Sequence, residues 1–110
     1  MYPRIYGGLN GDTELYDLDI DTTASELILV GSTDETAMHA HGATTPLIVR
    51  HSITTNLGVY AKTVTGTGYN AIHSVTLSPD SMRILAAMGT TGNLELLYIN
   101  KASLTVIYSY

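Results

Sequence analysis

The acidic side chains of this chain are densest in "DTELYDLDID", residues 12 to 21, which carries Asp12, Glu14, Asp17, Asp19 and Asp21. Oxygen ligands at alternate positions are what a calcium loop uses, because the ion takes roughly six to eight hard oxygens around a glycine-enabled turn. Asp17, Asp19 and Asp21 supply the alternation, but Thr22 stands where the glycine belongs and Ile28 where the closing glutamate belongs. A second calcium-loop spacing uses Asn10, Asp12 and Asp17, with Gly8 at its first ligand position and its later acid one place late. These are two partial patterns. On an extended strand the carboxylates of Asp17, Asp19 and Asp21 lie on one side at about 7 Å intervals. That spacing suits a solvated face or an interface better than one ion.

Imidazoles come next. "MHAHG" places His39 and His41 on the same side of an extended segment, with Asp34 and Glu35 nearby. Such a pair can hold zinc or copper, but a structural zinc takes about four ligands and a catalytic one about three. His51 and His73 fall in other predicted strands. The plainer expectation is an exposed loop, and His39 and His41 join Asp17, Asp19 and Asp21 as the expected contact surface. Nucleophilic chemistry has no support: Ser74 beside His73 lacks the strained elbow a catalytic serine needs. "GTGYNA" and "GTTGN" are glycine-rich, but neither precedes the helix of a phosphate loop. With no cysteine, thiolate chemistry and disulfides are excluded. The expectation is therefore a non-enzyme with no cofactor, calcium being the alternative.

The 110 residues suffice for one small domain. Five basic against ten acidic residues give a net charge of −5 and no footprint for nucleic acid. No apolar run approaches the roughly 18 residues of a membrane-spanning helix. The N-terminus lacks the basic-then-apolar pattern of a signal peptide. Phe and Trp are absent, so the core must be built from Leu, Ile, Val, Ala and Met.

The elements that must position these residues are strands. "LYDLDID" alternates an acidic with an apolar face, and "ELILVG" is a continuous apolar run, the mark of a strand covered on both sides. "PLIVRHSI", "LGVYAKTV", "AIHSVTLS", "MRILAAMG", "LELLYINK" and "LTVIYSY" follow; "PDS" is a turn with Pro79 presetting its backbone. "SMRILAAM" has helical propensity, but it is short and tightly bounded, and it reads as a buried strand.

The strands repeat. At a shift of 57, "YDLDIDTTASELILV" falls on "HSVTLSPDSMRILAA", pairing Leu18 with Val75, Ile20 with Leu77, Leu27 with Ile84 and Ile28 with Leu85. Further on, "LIVRHSI" falls on "LLYINKA" at a shift of 49, so the first unit holds eight extra residues around "DETAMHAHGATT". Tyr2, Tyr60 and Tyr108 mark a closing strand three times, and these tyrosines are expected to pack between units. The organisation reads as a closing strand over 1–8, one four-strand unit over 9–66 and a second over 67–110. Four antiparallel strands per unit is the pattern of β-propeller blades, which bury their faces only against neighbours.

At this point the residues resemble a family. Tyr6, Gly7 and Gly8, the turn Asn10–Asp12, Leu18 and Ile20, the turn Thr22–Ser25, the run Leu27–Val30 and then Gly31–Thr33 are similar to the SBBP repeat of seven-bladed bacterial propellers. "LIVRHSITTNLGVYAKTVTG" resembles that repeat's second half, with Tyr60 where the family carries Trp. In the second unit the acidic turn is missing and "MGTTGN" displaces the glycine by one. The resemblance implies an all-β propeller architecture and no catalytic residues. Because similar repeats abound in large protist surface and ciliary proteins, it also implies an extracellular, surface or ciliary setting. The expected function is a structural scaffold that binds protein, either further blades of the same chain or other subunits. The alternative is a propeller binding glycan or calcium through loops at one end of its ring.

Overall fold

A computed structural model describes residues 11–34, 44–64, 70–90 and 93–109. Among these residues there is no helix, and all eight expected strands form. β1 (Thr13–Asp21), β2 (Glu26–Thr33), β3 (Thr45–Ser52) and β4 (Gly58–Thr63) make one antiparallel sheet in the order β1-β2-β3-β4. β5 (Ile72–Leu77), β6 (Arg83–Thr90), β7 (Asn93–Asn100) and β8 (Thr105–Ser109) make a second in the order β5-β6-β7-β8. "RILAAM" lies in β6, as its tight bounds require. Short turns join β1 to β2, β3 to β4, β5 to β6 and β7 to β8, and each holds its two strands as antiparallel neighbours. The Ser81 amide donates to the Ser78 carbonyl at 2.9 Å, closing the expected turn around Pro79.

The repeat holds at the level of hydrogen-bond register, with one correction. Leu18 lies opposite Leu29 and Val75 opposite Ala86, so the shift of 57 is right for the first two strands of each sheet. For the last two it is 48 rather than 49, because Ile28 faces Arg50 whereas its twin Leu85 faces Tyr98. Arg50 therefore corresponds to Tyr98 and Ile48 to Leu96. Aligning "LIV" on "LLY" matches apolar letters but slips the strand by one residue, which exchanges its two faces. Both sheets carry β-bulges at equivalent places. One lies between Leu15 and Asp17 and between Ile72 and Ser74, the other between Arg50 and His51 and between Tyr98 and Ile99.

The core spans both sheets. Ile28, Val30 and Ile48 of the first pack with Ile72, Val75, Ile84, Ala86, Met88, Leu97 and Ile99 of the second. As the absence of Phe and Trp requires, Leu, Ile, Val, Ala and Met build it. β2 is buried on both faces, as its unbroken apolar run predicts, because Leu29 joins Leu47 and Val49 in a smaller cluster on the opposite side. Close approach between the sheets falls mainly on β5, which lies against β1 and β2. No helix among the described residues is long and apolar enough to cross a membrane.

Candidate functional site: the seam between the sheets

β1 contradicts the simplest reading of its own pattern. Its apolar residues Leu18 and Ile20 face outward, each 51 % exposed, and its acids face the second sheet. The sequence leaves a solvated face or an interface open for these acids, and the structure places them at an interface within the chain. A strand edge presents backbone amides without ladder partners, and a carboxylate can accept from several of them. Asp17 does so twice: Oδ1 accepts from the Leu18 amide at 2.9 Å and Oδ2 from the Val75 amide at 3.0 Å. Asp19 repeats the arrangement, accepting from Ile20 at 2.8 Å and from Leu77 at 2.8 Å. Val75 and Leu77 are the twins of Leu18 and Ile20. Each carboxylate therefore bridges the same amide in two successive sheets and protects two strand edges at once.

Asp21 closes the row. It is fully buried, its Oδ1 accepting from the amides of Thr23 at 3.0 Å and Ala24 at 3.1 Å, and its Oδ2 pairing with Lys101 Nζ. Burial pushes its carboxyl up and is the largest single influence. The Lys101 bond, the Ala24 amide, the Lys101 charge and the Ser81 hydroxyl together outweigh it, so the carboxyl lies below the ordinary range. The turn that carries Lys101 also receives Arg50, whose Nη1 donates to the Ala102 carbonyl at 3.0 Å. Arg50 is held in place by Glu26 through two parallel bonds, Nε to Oε1 at 3.0 Å and Nη2 to Oε2 at 2.9 Å. The seam thus has an apolar centre and a charged border fixed from both sides.

At the other end of β1 a cleft is lined by Asp12, Glu14, Tyr16, Asp34, Asn70 and His73, among others. Tyr16 and His73 are the bulged residues of β1 and β5, and their rings approach to 5.1 Å at a 42° tilt. The Tyr16 hydroxyl donates to Glu14, which raises it above the ordinary phenol range. The Asp12 amide donates to Asp34 Oδ1, and the Asp34 amide returns a bond to the Asp12 carbonyl at 3.0 Å.

The residues singled out by sequence fall in three places. Asp17, Asp19 and Asp21 line the seam. Asp12 lies at the cleft, engaged with Asp34, while Asp17 is committed to Leu18 and Val75. Asn10, His39 and His41 lie outside the described residues, as do the closing strand over 1–8 and Tyr2. Among the described residues no three His, Asp or Glu side chains group as a metal ion requires. His51 Nε2 bonds Asn56 Oδ1 at 2.9 Å, and His73 stands in the cleft. Tyr60, expected between units, is 46 % exposed on β4. Sequence reasoning did not find Lys101, Arg50 or Glu26. The available signal was the scarcity of basic residues and the place of Arg50, because a cation inside an apolar strand needs a partner.

Comparison with protein-family models, with curated proteins and with solved structures returned no match.

Proposed function

We propose that this protein is a non-enzymatic structural module, two blades of a β-propeller-type repeat array, whose role is to hold protein together through its sheet faces. The observation that supports this reading is the seam itself. The two sheets meet through equivalent strands, and Ile28, Ile72 and Val75, buried there, have exposed twins in Leu85 at one outer end and Leu15 and Leu18 at the other. Such a unit is built to be continued. The surrounding blades belong to the same chain or to other subunits, and the resemblance to a surface or ciliary repeat suits a scaffold.

A tandem chain of two copies joined end to end tests this. A new seam between the copies should raise the unfolding midpoint by about 5 °C or more, since about 1 kcal/mol moves a domain of this size by several degrees. A tandem chain that unfolds at the midpoint of the single copy would remove the reading.

A further inference from the structure

The formed seam buries Ile28, Val30 and Ile48 of the first sheet and Ile72 and Val75 of the second, all between 0 and 8 % exposed. Through the register, the twins of the first three are Leu85, Ala87 and Leu96. Leu85 is 42 % exposed, Ala87 and Leu96 are half-buried, and together they floor an apolar groove on the outer face of the second sheet. The twins of Ile72 and Val75 are Leu15 and Leu18, 42 % and 51 % exposed on the outer face of β1. The β5 part of the seam is therefore repeated, exposed, on the outer face of β1, beside Leu29, Leu47 and Val49, which are buried, and the β2 and β3 part is repeated as the open groove on the second sheet.

We infer that a second copy of this chain docks head to tail, its β1 face of Leu15, Leu18 and Ile20 seating on the Leu85, Ala87 and Leu96 groove of the first. This rests on the repeat-array reading and adds the occupant, the two faces and their polarity. The contact is heterologous: one copy's first sheet meets the other's second sheet, and each addition leaves both faces open again at the ends. It continues the geometry already formed, in which β5 lies against β1 and β2. The new seam has a different border. Ser74 and Thr76 stand at the positions of Asp17 and Asp19, so hydroxyls replace the bridging carboxylates. Association between copies is accordingly weaker than the seam within one, because charge-assisted bonds are roughly twice as strong as neutral ones.

The polarity makes the test specific. Leu18→Arg closes one face and Leu85→Arg the other, each at an exposed site where a guanidinium harms docking more than folding. Sedimentation is followed from about 10 μM to about 1 mM, where weak interfaces populate. The wild type should grow from monomer to dimer and longer species. Each variant alone should stay monomeric, with a melting midpoint close to that of the wild type. An equal mixture should form dimers and stop there, because each variant retains the face the other needs. If either arginine unfolds the chain, Leu18→Gln and Leu85→Gln carry the same comparison, with association reduced at least tenfold. A wild type that stays monomeric, a variant that associates as the wild type does, or a mixture that stays monomeric would each overturn the inference. If the tandem chain gains stability while Leu85→Arg leaves association unchanged, the array reading stands and the head-to-tail docking falls.

Discussion

Asp17 and Asp19 show how a residue's neighbours decide its role. Either carboxylate, read alone, is a calcium ligand or a solubilising surface group. Placed beside a strand edge it becomes an acceptor for two amides, and its removal leaves both without a protein partner. Hydrogen bonds to charged groups contribute about 1.5 to 3 kcal/mol. Asp17→Ala and Asp19→Ala should each lower the unfolding free energy in urea by about that much. Asparagine, which keeps one acceptor oxygen, should cost less. Alanine variants as stable as the wild type would show that the bridges contribute nothing.

Asp21 makes a different prediction, through pH. Its carboxyl lies below its unfolded value, so the unfolded chain takes up the proton first on acidification. The stabilisation is fully present above about pH 4, the unfolded range of an aspartate, and is lost as pH falls through the lower folded value. Lys101→Met strips the buried carboxylate of its cation and should cost about 3 kcal/mol at neutral pH. That difference from wild type should narrow as pH falls to and through the lower folded value of the wild-type carboxyl, below which the carboxyl is neutral in both proteins. Urea titrations between pH 2.5 and pH 7, taken here as roughly the range spanning the carboxylate titration, check this, and a difference independent of pH would refute it.

At the scale of the element, backbone approach matters more than side-chain type. Gly31 lies opposite Leu15 at the start of the β1 bulge. A Cβ there would stand 1.8 Å from the Glu14 carbonyl oxygen and 2.8 Å from the Leu15 Cα, both backbone atoms that cannot swing aside. Gly31→Ala should therefore push β1 off β2. The expected cost is at the upper end of the usual overpacking range, about 3 kcal/mol, read from thermal or urea unfolding. An alanine variant of wild-type stability would mean that β1 is not held this close. In the second sheet the twin of Gly31 is Met88, fully buried, so the displaced glycine noticed in "MGTTGN" marks a true difference between the sheets. Leu104 is a second feature that no propensity foretells. It holds φ at 55°, as its twin Asn56 does, yet it is a buried leucine. Asparagine takes that conformation readily, whereas leucine does so here at a backbone cost that its burial in the core offsets.

For the whole molecule the consequence is polarity. A pair of sheets joined through one kind of seam has two unlike ends, and both remain apolar. Leu15, Leu18 and Ile20 are exposed at one end and Leu85 and Leu94 at the other, Leu94 at 67 %. Large uncovered apolar faces on a small chain mark interaction surfaces. This asymmetry is why the tandem chain and the paired arginine variants are informative. The first asks whether another seam forms at all, the second which face meets which.

The sequence by itself determined the strands, the order in which they repeat and the residue types of the core. A period of two, bounded by turn residues, is a local signal, and an unbroken apolar run marks a strand covered on both sides. It also determined the composition of each face of β1. Only the tertiary structure decided which face turned inward. The hydrophobic rule favours burying Leu18 and Ile20, but β5 brought unpaired amides to β1, and a carboxylate meets them where a leucine cannot. The one-residue slip in the second half of the repeat has the same origin. Apolar letters match at two neighbouring registers, and only hydrogen bonding across the sheet chooses between them. Lys101 beside Asp21 and Arg50 beside Ala102 stand far apart along the chain, so the packing of one sheet on the other alone could bring them together.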